Sequence, residues 1–107
     1  IMIMGLSFKE NCRDLRNSKI FDIILEFNDL NIKVDVYDPL INKQDVPSNV
    51  NLISDIKLNF YDAIIVAVPH DVFNSFKPNE IRKFCKKNSL IFDLKHFLDV
   101  KYSDLRL

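Results

Sequence analysis

Lys9, Arg13 and Arg16 sit close together in the run Gly5-Leu6-Ser7-Phe8-Lys9-Glu10-Asn11-Cys12-Arg13-Asp14-Leu15-Arg16-Asn17-Ser18. An apolar stretch, Ile1 to Met4, precedes the run and an amphipathic stretch follows it, so three cations occupy one strand-to-helix loop. In an open parallel α/β sheet, ligands bind beyond the carboxyl ends of the strands, where helix N-termini offer free N–H groups and a partial positive charge. Cations placed there point to a phosphate-bearing ligand. His70 follows a third apolar run and Lys95 a fourth, which brings both to the same edge. Lys9, Arg16 and Lys95 are therefore expected to face one crevice. The plainer alternatives are that Lys9 and Arg16 are solvated charges paired with Glu10 and Asp14, and that His70 is an ordinary loop residue.

Other chemistries find less support. A dinucleotide fingerprint needs three spaced glycines, so that the backbone can turn tightly and approach a pyrophosphate. This chain has a single glycine, Gly5, which excludes a GxGxxG site. Gly5 itself answers to close helix–strand packing or to a positive φ. Asp38 could imitate the acid that holds a ribose, but Asp38-Pro39 reads better as turn chemistry. Cys12 has no histidine nearby in sequence to serve as a base, so a nucleophile is not indicated. Cys12 and Cys85 lie far apart and show no CxxC or Cys/His spacing; free thiols are expected, and no metal site.

Strands and helices alternate in the positions needed to hold these residues. Ile1 to Leu6 is an unbroken apolar run, the pattern of a buried parallel strand. Asn17 or Ser18 can cap a first helix whose apolar positions are Ile20, Ile23, Ile24, Phe27 and Leu30, ended by Asn28, Asp29 and Asn31. Ile32 to Tyr37 reads as an outer strand. Residues 42–51 read as loop, and Leu52 to Asn59 as one or two helical turns. Ala63 to Val68, closed by Pro69, is the strongest strand and should be central. A helical turn is expected over Asp71 to Phe76. A second helix should open near Pro78 and run to about Lys87 with Ile81, Phe84 and Cys85 inward. Leu90 to Leu94 is a further strand, and the tail from His96 is the least legible part. The fold class that follows is α/β: a Rossmann-like, three-layer domain with about four to five parallel strands, order 2-1-3-4, and helices on both faces.

The chain has 107 residues, 48% of them hydrophobic, enough for one core and hence one domain spanning 1–107. Fifteen Lys and Arg balance fifteen Asp and Glu, which argues against a nucleic-acid binder held by bulk charge. No apolar run is long enough to span a membrane and no secretory signal is visible, so a cytoplasmic setting is expected. The opening on Ile1, without an initiator Met, suggests a segment of a longer protein.

The pattern G-x-S-F-K-x4-D-x-R-x-S, with Val36-Tyr37-Asp38-Pro39, Tyr61-Asp62-Ala63, Phe92-Asp93 and Lys95, resembles the C-terminal, UDP-binding domain of the UDP-glucose/GDP-mannose dehydrogenase family. The resemblance covers nearly the whole chain. It implies a part in an NAD-dependent oxidation of the C6 hydroxyl of a UDP-sugar to a carboxylate, in polysaccharide biosynthesis. In that family an N-terminal domain binds NAD, a central region forms a homodimer and carries the catalytic cysteine, and the C-terminal domain covers the nucleotide sugar. No catalytic residue is then expected in this chain, which alone should be inactive. By the same resemblance Phe8 and Lys9 contact the nucleotide sugar, Lys9 by charge and Phe8 chiefly through its backbone, while Arg16 reaches toward NAD. Lys95 falls where glucose-specific members carry a substrate-binding arginine in an Asp-Gly-Arg sequence. Here the residues read Asp93-Leu94-Lys95, and a lysine cannot reproduce bidentate guanidinium bonding. The Lys-Glu-Asn-Cys variant resembles the branch acting on UDP-N-acetylhexosamines. The rival readings are a non-enzymatic α/β interaction module, such as a receiver-like domain, and a free-standing nucleotide-binding protein. A receiver needs paired acids after its first strand and an acceptor Asp after its third, where this chain has Ser7-Phe8-Lys9 and Pro69-His70.

Overall fold

The computed structural model describes residues 1–106. Six strands form one sheet: β1 (Met2–Met4), β2 (Asp35–Tyr37), β3 (Asn51–Ile53), β4 (Tyr61–Val66), β5 (Cys85–Asp93) and β6 (Leu105–Arg106). Their order is β3-β2-β1-β4-β5-β6, and every neighbouring pair is parallel. The expected order of four strands is embedded in this as β2-β1-β4-β5, with one short strand added at each edge. From β1 the chain steps one way to β2 and β3, then returns to pair β4 against the other side of β1 and continues to β5 and β6. The β1/β4 junction is thus the point where the strand order reverses.

Strand alternation divides the core into two layers. Met2, Met4, Ile64, Val66 and Ile91 join Phe73, Ile81 and Phe84 on one face. Ile3, Val36 and Ile65 join Ile20 and Ile24 on the other. These last two belong to α1 (Ile20–Asp29), whereas Ile81 belongs to α2 (Pro78–Lys83), so the helices cover opposite faces. Asp71–Ser75 forms the expected helical turn, a 3-10 turn that buries Phe73.

Helix α1 ends in a Schellman arrangement. Asn31 takes φ 60°, its N–H donates to the Asn28 carbonyl (3.0 Å), and Ile32 N–H donates to the Phe27 carbonyl (2.9 Å). Asparagine tolerates the left-handed region better than other residues with a side chain, and it serves here where glycine is usual. Leu30, expected on the apolar face, is instead the C-cap and is 68% exposed. At the other end Ser18 Oγ accepts from Ile20 N–H (3.3 Å), the part of a cap, although the helix is bounded by Lys19.

Three local expectations need correction. Leu52 and Ile53 lie in β3, not in a helical turn; Asn51 Nδ2 donates to Asp35 Oδ1 (2.7 Å) and helps hold this edge strand on β2. Helix α2 stops at Lys83 instead of Lys87. The carbonyls of Lys83 and Phe84 are taken by Asn59, Phe60 and Tyr61 N–H groups (2.8–3.0 Å), leaving nothing to continue the helix. Cys85 accordingly starts β5, and both cysteines are free. The tail supplies β6, whose approach is set by Asp104: its N–H donates to Ile91 O and its Oδ2 accepts from Ile91 N–H.

Asp104 also pairs with Arg82 (2.9 Å), whose hydrogen bond holds the carboxyl below its ordinary pKa. A lowered folded-state pKa contributes stability above the unfolded pKa, and this is lost as pH falls through the folded value. Both side chains are partly exposed, so Arg82→Ala should cost less than about 1 kcal/mol at neutral pH. Urea unfolding should show wild type and variant converging in acid; a gap that persists would mean the charge pair is not the cause.

Candidate functional site

The cationic loop after β1 is built around Gly5, which takes φ 94°. A Cβ there would lie 2.6 Å from both Cβ and the carbonyl oxygen of Val68, so positive φ and close packing are both required. Beyond it Ser18 Oγ donates to the Leu6 carbonyl (2.7 Å), and Phe8 N–H donates to the Asp14 carbonyl (2.8 Å), closing the loop on itself.

A buried polar cluster beneath the loop holds it to the neighbouring strand ends. Ser7, Asp38 and His70 are each 2% exposed or less. Asp38, just past β2, accepts Leu6 N–H on Oδ2 (2.8 Å) and Leu40 N–H on Oδ1 (3.0 Å). His70 Nε2 lies 2.9 Å from Asp38 Oδ2 and 3.3 Å from Ser7 Oγ. His70 Nδ1 accepts the backbone N–H of Asn11 (2.8 Å), and Asn11 Oδ1 accepts Asp71 N–H (2.7 Å). Ser7 Oγ in turn donates to the Lys9 carbonyl (2.9 Å). Residues after β1, β2 and β4 thus form one hydrogen-bonded unit at the point where strand order reverses, the place where open α/β sheets bind ligands.

Each cation named from the sequence can now be placed. Phe8 and Lys9 are exposed above this cluster, Phe8 by 54%. Because the Phe8 N–H is committed to Asp14, its carbonyl and its ring remain for a ligand. Arg13 is exposed on the same loop. Arg16 is exposed but engaged: Nε donates to Asp14 Oδ1 and Nη2 to Oδ2, both at 3.0 Å. That hydrogen bonding holds the Asp14 carboxyl below its ordinary range. An ion pair this exposed opens at little cost, so Arg16 can exchange Asp14 for another anion.

Lys95 is exposed past the end of β5. Its turn is shaped by buried Asp93, which accepts Phe97 N–H (2.9 Å) and Leu98 N–H (2.7 Å), while His96 takes φ 57°. With β4 between β1 and β5, Lys95 springs from a strand about 10 Å from the one that leads to Lys9. The two share an edge without sharing a loop.

The sequence reads Asp38 best as turn chemistry and sets His70 at the carboxyl edge, but their partnership depends on strand order. Cys12 Sγ accepts Asp14 N–H (3.3 Å), a local turn contact, and burial pushes the Cys85 thiol up. A cavity of about 780 Å³ opens at the opposite, amino edge of the sheet, lined by Asp35, Asn51, Tyr61, Asp62 and Lys86 among others. Burial raises the Tyr61 phenol, whose hydroxyl is tied to Asp35 (2.7 Å). Loops from three strands converge with exposed cations at the carboxyl edge, which makes that edge the better candidate.

The profile of the UDP-glucose/GDP-mannose dehydrogenase family, UDP binding domain, matches residues 2–100. UDP-N-acetyl-D-glucosamine 6-dehydrogenases of Salmonella typhi and Pseudomonas aeruginosa are 40% and 42% identical to the whole chain, which spans 26% of each. A solved structure of the UDP-N-acetyl-mannosamine dehydrogenase Cap5O from S. aureus superimposes with a TM-score of 0.70 at 25% identity, over 98% of this chain and 25% of that one. The chain therefore corresponds to about a quarter of these relatives.

Proposed function

Because the chain belongs to the UDP-glucose/GDP-mannose dehydrogenase family, as its UDP binding domain, we propose that it holds the nucleotide end of a UDP-N-acetylhexosamine at the carboxyl edge of its sheet. The observation that carries this reading is the loop after β1, which lifts Lys9 and Phe8 above a hydrogen-bonded polar cluster where the strand order reverses. Lys9 supplies charge to the diphosphate, Phe8 a carbonyl and an apolar ring, and Lys95 a single-point cation from the β5 turn. Arg16 leaves Asp14 to reach toward NAD.

The dinucleotide itself does not fit this chain. Its one glycine is spent on the close approach of Val68, and no glycine loop is left to admit a pyrophosphate against the backbone. In the whole protein, NAD would be held mainly outside this chain and would accept hydride as the sugar C6 hydroxyl is oxidised to the carboxylate. That protein acts as a homodimer in the cytoplasm, in polysaccharide biosynthesis. Among the described residues no helix is long and apolar enough to cross a membrane.

Amide-shift titration with UDP, and with GDP and NAD as controls, tests the assignment. Shifts with UDP at residues 5–16 and around Lys95 are expected, and Lys9→Ala should weaken UDP about tenfold, as loss of one hydrogen bond to a charged group does. Shifts with NAD alone, or an unchanged UDP affinity in the variant, would overturn the assignment of substrate or of Lys9 respectively.

A further inference from the structure

A backbone N–H can only donate, so His70 Nδ1, which accepts the Asn11 N–H at 2.8 Å, carries no proton. The ring hydrogen is therefore on Nε2, where Asp38 Oδ2 (2.9 Å) and Ser7 Oγ (3.3 Å) both face it. The Ser7 hydroxyl is left to donate to the Lys9 carbonyl. One imidazole thus grips the loop on both sides of Lys9: through Ser7 at one end and directly at Asn11 at the other.

We propose that His70 is a positioning residue, a neutral imidazole whose tautomer is selected by Asp38 and whose bare Nδ1 holds Lys9 in its ligand-binding placement, so that protonation at Nδ1 releases the loop. The inference rests on the nucleotide-sugar reading of the same site. A second proton turns the acceptor of Asn11 N–H into a donor, and two N–H groups then oppose each other across a partly buried contact. Asp38 and Ser7 cannot relieve this, because they face the other nitrogen. The Phe73 ring, 5.4 Å away between centroids, lies against the imidazole, and Asp71, next in the chain, is exposed and meets Asn11 through its own backbone N–H. Among the described residues, Asp38 is the one charged group within hydrogen-bond reach of the ring. It fixes the orientation of the imidazole, while the proton count at Nδ1 decides whether the ring holds the loop at Asn11.

The test uses the full chain labelled with nitrogen-15, followed on stepwise acidification from alkaline buffer. The His70 ring signals should report the Nε2–H tautomer at the alkaline end, and the Asn11 and Lys9 amides should move along the same titration curve as His70. UDP affinity should fall about tenfold over that curve, the effect of one lost hydrogen bond. His70→Gln places an amide N–H near the Nε2 position, keeps Asp38 partnered and cannot titrate. It should stay folded, bind UDP about tenfold more weakly at the alkaline end and lose the pH dependence. Asn11 amide shifts independent of His70, an Nδ1–H tautomer at the alkaline end, or a His70→Gln variant with the wild-type pH profile would each overturn the proposal. Failure of UDP to bind at any pH counts against the nucleotide-sugar reading alone, and the coupling of His70 to Asn11 then still decides the hold on the loop.

Discussion

Asp38→Ala is expected to destabilise the chain by about 3–5 kcal/mol, the loss found when one partner of a buried charge-assisted network is removed. The size follows from what the carboxylate leaves behind. Leu6 N–H and His70 Nε2–H share Oδ2, and Leu40 N–H uses Oδ1. Both His70 and Asp38 are buried, so water cannot replace the lost acceptor without opening the loop. Asp38→Asn should cost about 2 kcal/mol, since an amide presents its NH2 to one of the donors that now meet oxygen. Urea midpoints of the two variants measure this directly. A loss below about 1 kcal/mol for alanine would show that the cluster is solvated in solution and does not order the loop.

The inner part of this fold could be read from the sequence because each inner element carries its own signal. β1 is apolar throughout, β4 is apolar from Ala63 onward, and α1 has helical spacing with a polar stop at Asn31. The edges have no comparable signal. A two-residue strand such as β6 or a three-residue strand such as β3 is too short to display alternation, and its existence depends on a partner already in place. The end of α2 is also a long-range event, decided by N–H groups from residues 59–61.

The candidate site divides in the same way. Lys9 and Arg16 were visible because charge, loop position and a specific pattern coincide in one stretch. The pairing of Asp38 with His70 was not, because each is ordinary where it stands and the contact joins positions 32 apart in sequence. A signal did exist. The expected order 2-1-3 already set the ends of their two strands on either side of the β1 loop, so an acid on one side and a histidine on the other could have been paired across it. The left-handed positions show a related substitution of means: with one glycine in the chain, Asn11, Asn17, Asn31 and Asn59 take positive φ where glycine is common elsewhere.

Gly5→Ala should cost about 3 kcal/mol and should weaken UDP binding along with stability. Two penalties combine. Alanine at a φ of 94° is strained by about 1–2 kcal/mol, and forcing a methyl into packed surroundings adds about 1–3 kcal/mol. The second penalty is hard to escape, because the added carbon meets the Val68 carbonyl oxygen at 2.6 Å and its nitrogen at 2.8 Å, which are backbone atoms. Ala67 and Val68 N–H groups both donate to the Met4 carbonyl, and Gly5 N–H donates to Tyr37 O, so moving Val68 away pulls β4 off β1 next to β2. These are the three strand ends that carry Ser7, Asp38 and His70. A second change, Val68→Gly, removes the Cβ contact but neither backbone contact, so it should rescue only a small part of the loss. Full rescue in thermal unfolding would place the cost in the Val68 side chain alone, and an unchanged midpoint in Gly5→Ala would show that β1 and β4 are not held this closely.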